Sequence, residues 1–168
     1  MMLKTSKMRG FTLVELMITL ALLAIAATIA VPNFVQFIRN NQVQAKADEL
    51  GSFLQYARAQ AVSKRESYEI DLTDLTQWKI HPAGDSAAVE RKLEINSSQA
   101  AITFAPSSAT SVVFSAQGMA NPAIKFTICR DNDAANGYLL DIRPSGLIKR
   151  FQRGYKDDSN TLTSCTSF

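Results

Sequence analysis

Residues 11–31, FTLVELMITLALLAIAATIAV, constrain this chain more than any other stretch. They form an apolar run of 21 residues. At about 1.5 Å rise per residue a helix of this length reaches roughly 31 Å, the thickness of a bilayer core. Of the 18 Lys and Arg, Lys4, Lys7 and Arg9 precede Gly10, and no acid does. This asymmetry holds the N-terminus in the cytoplasm and sends the rest across the membrane. The 15 basic residues beyond Gly10 balance the 15 acidic ones. A neutral exported part is a poor default nucleic-acid binder, because phosphate affinity comes chiefly from clustered Lys and Arg.

Two features set the run apart from an ordinary signal. A secretory signal peptide has an apolar region of about 7–15 residues, and this run is longer. Its front also carries Thr12 and Glu15, where a signal should be most apolar. A carboxylate at membrane depth costs about 2.5–3.5 kcal/mol or more unless paired. A signal peptide cut after Ala24-Ile25-Ala26, or an uncleaved anchor, leaves Gly10 and Glu15 unexplained.

The helical period continues past Pro32. Val43, Ala47, Leu50, Leu54, Ala57 and Ala61 step by four, three, four, three and four, an apolar stripe on one face. Lys46, Glu49, Gln55 and Arg58 lie off it. The pattern predicts one helix from about Phe11 to about Ser63, kinked at Pro32. It would approach 80 Å at about 1.5 Å per residue. The short, Ala-rich stripe suits packing on a sheet better than a heptad coiled coil. Strands are predicted at 68–72, 77–80, 90–95, 101–104, 112–115, 124–129, 138–142 and 147–151. Val89, Arg91, Leu93 and Ile95 should share one side, as should Ile124, Phe126 and Ile128. Turns are expected at Pro82–Asp85, Asn121-Pro122, Asn136-Gly137 and Pro144–Gly146. The fold class is α+β: a long N-terminal helix on an antiparallel, sandwich-like domain.

GFTLVEL, Gly10 to Leu16, resembles the type III signal of type IV pilins and type II secretion pseudopilins. That resemblance implies cleavage between Gly10 and Phe11 by a prepilin peptidase and N-methylation of Phe11. It also implies that Glu15 pairs with the new Phe11 amine of an adjacent subunit and sets docking register. The segment NNQVQAKADELGSFLQYARAQAVSKRE, followed by strands and two late cysteines, is similar to minor pilins of the FimU and FimT kind and to GspH pseudopilins. The chain then divides into a leader (1–10), a membrane part of the helix (11–31), an amphipathic part (32–63) and a β-rich periplasmic domain (64–168).

The implied function is a minor type IV pilin that primes assembly or forms a tip complex with other pilins. Its partners would be major and minor pilins, the peptidase and methylase, and an inner-membrane assembly platform. The alternatives are a DNA-binding minor pilin and an H-type pseudopilin. Exported thiols are oxidised, so Cys129 and Cys165 are expected to form a disulfide tying the C-terminal tail to a strand. Two buried free thiols are the alternative. Lys149, Arg150, Arg153 and Lys156, interleaved with Phe151 and Tyr155, could grip DNA. A solvated edge or a subunit contact is the competing reading, because Asp157 and Asp158 adjoin the patch. His81 is the only histidine and is expected at a surface or turn; Trp78 should be a partly buried sheet residue. No metal-ligand spacing, P-loop or nucleophile elbow is present, so neither a cofactor nor an enzyme is expected.

Overall fold

The computed structural model describes residues 10–166. Lys4, Lys7 and Arg9 of the leader lie outside the described residues. The chain falls into two compact units, Met1–Ile38 and Arg39–Phe168. Helix α1, Leu13–Lys64, contributes to both and is assigned without a break through Pro32. The first unit therefore extends beyond Val31 to take in Phe34, Val35, Phe37 and Ile38, all exposed.

The ends of α1 are set by local chemistry. Thr12 is the N-cap: the Glu15 N–H donates to its Oγ1 at 3.2 Å and the Leu16 N–H to its carbonyl at 3.1 Å. At the far end Arg65 turns left-handed with φ 56°, and the Glu66 N–H reaches back to the Ala61 carbonyl at 3.2 Å. This 6→1 closure satisfies a terminal carbonyl and usually uses glycine where Arg65 stands.

Nine strands follow: β1 (Tyr68–Asp71), β2 (Gln77–Pro82), β3 (Arg91–Glu94), β4 (Ala101–Ala105), β5 (Ser111–Phe114), β6 (Ala120–Asn121), β7 (Ile124–Cys129), β8 (Tyr138–Ile142) and β9 (Ile148–Arg150). They form two antiparallel sheets, ordered β3-β2-β1-β5-β6 and β4-β7-β8-β9. The eight predicted strands are present, and the two-residue β6 is additional. The predicted turn at Asn121-Pro122 instead ends β6, with a cis peptide bond between the two residues.

The whole predicted stripe of α1 is buried, joined by Phe53. It shares one core with both sheets. Trp78 of β2 meets Phe104 of β4 at 6.0 Å and Phe126 of β7 at 5.4 Å between ring centroids, bridging the sheets. At 2% exposure Trp78 is fully inside rather than partly buried. On β3 only Leu93 is buried; Val89 and Ile95 are half-buried and Arg91 is exposed, because β3 is an edge strand.

His81 corrects the sequence reading. It is 5% exposed and lies within β2, opposite Glu69, with Nδ1 3.0 Å from the Pro82 carbonyl oxygen. The strand runs two residues further than predicted because Pro82 does no harm there. The Ala83 N–H bonds the Ser67 carbonyl, so by alternation Pro82 points its nitrogen away from β1. On that side β3 reaches only Ile80, and no ladder bond is lost.

Candidate functional site

Three parts of the molecule carry the predicted functional residues. The first is the start of α1. Thr12-Leu13-Val14-Glu15 has the spacing of a capping box, with Glu15 in the first turn, where the helix dipole favours an anion. The T-x-x-E pattern is a helix-start signal in the sequence itself, independent of the docking role that the resemblance implies for Glu15. Gly10 is exposed, and a Cβ built on it meets nothing within 4 Å. The fold itself therefore does not require glycine at this position. Phe11 and the apolar residues after it are exposed on all sides as far as Ile38.

The second part is the C-terminal strap, residues 151–166. Cys129 and Cys165 are joined in a disulfide, with Cα atoms 6.2 Å apart. Around it Leu139, Phe151 and Leu162 form a small second core. The Cys165 carbonyl accepts from Thr127 Oγ1 at 2.6 Å and also from Thr103 Oγ1. The Leu162 N–H donates to the Gly154 carbonyl at 2.8 Å. Asp157 folds the strap on itself by accepting from the Ser159 and Asn160 N–H groups at 2.8 and 2.7 Å. Those N–H groups, with the Asn160 side chain, hold its carboxyl below the usual range. The strap accounts for a run of buried residues on β7, Phe126 to Cys129: both faces are covered, one by the core and one by the strap.

The third part is the basic tail, most of which is engaged within the chain. Lys149 Nζ donates to both Asp158 carboxylate oxygens at 2.8 and 2.7 Å and lies 4.6 Å from the Phe151 ring centroid. Arg150 pairs with Asp48 of α1 and stacks 5.5 Å over Tyr138. Arg153 Nε donates to the Tyr138 hydroxyl at 3.3 Å. Lys156 sits in the strap loop, its N–H bonded to the Asn160 carbonyl at 3.0 Å. Basic and aromatic residues are thus interleaved to fasten the tail to the domain.

A junction that sequence reasoning missed lies at the end of the amphipathic helix. Arg58 Nε donates to the Gly118 carbonyl at 3.0 Å, and the Ala120 N–H donates to the Pro144 carbonyl at 3.0 Å. These bonds draw the β5–β6 and β8–β9 turns together beneath α1. Nearby, Lys64 Nζ and the Tyr68 hydroxyl converge on Glu90. The Lys64 hydrogen bond, then that of Tyr68, holds the Glu90 carboxyl below its usual range, and Lys64 is pushed up in turn. Among the described residues no cluster of three or more His, Cys, Asp or Glu could hold a metal.

Comparison with known proteins places this architecture. The family model described as Type II transport protein GspH matches residues 46–146, more than half of the chain. The Prokaryotic N-terminal methylation motif matches residues 5–31. The crystal structure of the Pseudomonas aeruginosa type IV minor pilin FimU is 28% identical, with a TM-score of 0.63, over 77% of this chain and 98% of that one. The minor pseudopilin EpsH from the type 2 secretion system of Vibrio cholerae shares the fold at 7% identity, with a TM-score of 0.53, over 66% of this chain and 96% of that one. Among curated proteins, the type IV major pilin protein PilA of Myxococcus xanthus is 54% identical over 41 residues, 24% of this chain and 19% of that protein's length. The motif and fold fit a membrane-anchored subunit with an exported globular domain that assembles with other pilins. This chain belongs to the GspH family, the minor type IV pilins and pseudopilins, which are structural subunits and not enzymes.

Proposed function

We propose that this chain is a minor type IV pilin: a precursor held in the inner membrane, cut between Gly10 and Phe11, methylated on Phe11, and incorporated into a pilus as part of its priming or tip complex. One observation carries this reading. The exposed apolar face of α1 does not end where a bilayer would. Residues 11–31 suffice to span, yet Phe34 and Phe37 beyond them are 64% and 60% exposed. A face that outruns the membrane calls for other helices to cover it, as a filament core does. Glu15 fits the same scheme, since a carboxylate at that depth requires a cation such as a neighbour's Phe11 amine. Gly10 fits it too, because processing accounts for a glycine that folding does not need.

Two findings favour the pilus over the secretion machine and over DNA uptake. The likeness to FimU carries 28% identity, against 7% for EpsH. Lys149 and Arg150 stand beside Asp158 and Asp48, so a phosphate approaching this edge would meet two carboxylates along with the two cations.

The reading is tested in the native host. Mass spectrometry of sheared pili should find a methylated Phe11 terminus. Phe34→Asp with Phe37→Asp, and separately Glu15→Val, should leave the protein in the membrane and remove it from pili. Incorporation of both variants at the normal level would overturn the proposal.

A further inference from the structure

A groove runs between the second half of α1 and strand β9. It consists of two adjoining hollows of about 540 and 270 Å³ that share Gln55 and Ile148. The smaller is floored by Ala47 and Leu140 of the core and ends at the Asp48–Arg150 pair. The larger is walled by Arg58, Ala59, Val62 and Leu147. Val62 and Leu147 remain 48% and 46% exposed, although the junction beneath them is tightly built.

The backbone beside this groove is open. β9 is an edge strand that pairs only with β8. The Phe151 N–H bonds the Leu139 carbonyl and the Arg143 N–H bonds the Leu147 carbonyl. In an antiparallel ladder these bonded pairs alternate with unbonded ones. Leu140–Arg150 and Ile142–Ile148 are therefore the unbonded pairs. The N–H and C=O groups of Ile148 and Arg150 consequently point away from β8. Among the described residues no hydrogen bond reaches them from that side. Edge strands are ordinarily guarded, most often by charge. Edge strand β3 is guarded in this way, by exposed Arg91, Lys92 and Glu94. The cations of β9 are drawn aside instead, Lys149 to Asp158 and Arg150 to Asp48.

Charge states what the groove should take. Arg58 spends Nε on the Gly118 carbonyl, and its other N–H groups make no hydrogen bond among the described residues. No carboxylate lines the larger hollow. A partly buried guanidinium with donors to spare, set among alanine, valine and leucine, suits a carboxylate carried next to an apolar side chain.

We infer that this groove receives an extended segment of a partner pilin, which adds as a strand to β9, places an apolar side chain against Val62 and Leu147, and sets a neighbouring carboxylate on Arg58. Main-chain bonds to Ile148 and Arg150 supply affinity, and the two hollows supply specificity. The inference rests on the proposed role in pilus assembly and names the surface that role would use.

The test uses the full chain in its host, with the photo-crosslinking residue p-benzoylphenylalanine in place of exposed Gln55. Cross-linked peptides are identified from membranes, and incorporation into pili is measured in parallel. The expected product joins position 55 to a pilin segment bearing Asp or Glu beside an apolar residue. Arg58→Glu should lower its yield by at least about tenfold, the worth of one charged hydrogen bond. Changing the partner's acid to Lys should restore it. Leu147→Lys, at an exposed position that leaves the junction intact, should also abolish the product and guards against misfolding of the Arg58 variant. Absence of a product, cross-links only to second copies of this chain, cross-links to a helix, or a yield indifferent to both substitutions would overturn the inference. Normal incorporation into pili alongside any of these results would leave the assembly role standing and reject only the groove.

Discussion

Replacing Gly146 by Ala tests whether the junction under α1 is built as described. Gly146 has φ +75°, and a Cβ on it would lie 1.7 Å from the Gly118 carbonyl oxygen and 2.8 Å from Arg58 Nε. Side-chain carbons essentially never come closer than 3.0 Å to such atoms, so the two turns must separate by more than an ångström. That movement breaks the Arg58–Gly118 bond and the Ala120–Pro144 bond, each 3.0 Å long. A charged hydrogen bond is worth about 1.5–3 kcal/mol and a neutral one about 0.5–1.5. The left-handed backbone adds about 1–2 kcal/mol for a residue with a Cβ, offset by about 0.4–1 from the stiffer unfolded chain. The expected loss is roughly 3–5 kcal/mol. Gly84 is the control: it is also left-handed, with φ +94°, but a Cβ there meets nothing within 4 Å. Gly84→Ala should lose only the backbone term, about 1 kcal/mol. Urea unfolding of the detergent-solubilised chain, followed by fluorescence of the single, buried Trp78, reads both variants. Equal losses, or less than about 1 kcal/mol at Gly146, would refute the reasoning.

Other outcomes follow from the helix end and the strap. Cys129→Ser opens a closure spanning 36 residues and should cost about 3–4 kcal/mol on the chain-entropy account, with proteolysis beginning after Phe151. Arg65→Gly should stabilise the domain by up to about 1 kcal/mol in the same urea assay, because it relieves a left-handed residue at the helix end. Glu90 has its carboxyl held below the usual value, so its contribution is complete above about pH 4.3 and is lost as pH falls through its lower, folded value. Protection from amide exchange at the Lys64 end of α1, taken relative to the intrinsic rate at each pH, should therefore fall at acid pH in the parent chain, and Glu90→Gln should show that weaker protection already at neutral pH.

Much of this architecture could be read from the residues because burial imposes a period. The stripe from Val43 to Ala61 marked a helix face laid on a sheet, and alternation in 124–129 marked a strand. Features that depend on distant contacts could not be read. Arg65 ends the helix without the glycine that would have announced it. His81 sits in a strand because β3 stops short, which no local pattern records. In the basic tail the blunting by Asp158, nine residues from Lys149, was legible, whereas the pairing of Arg150 with Asp48, 102 residues away, was not. The Arg58 junction joins segments 60 residues apart and leaves no motif at all.

The strap makes the completion of the β-rich domain a redox event as well as a packing event. Without it the outer side of β7 is bare, with Thr127, Cys129 and neighbouring Leu139 open to water. Until Cys165 is paired with Cys129, that side of the sheet is unfinished and adhesive. Reductant should therefore open the domain from this side first: with the disulfide cut, residues 151–166 become accessible to protease while the core shared by α1 and both sheets stays closed.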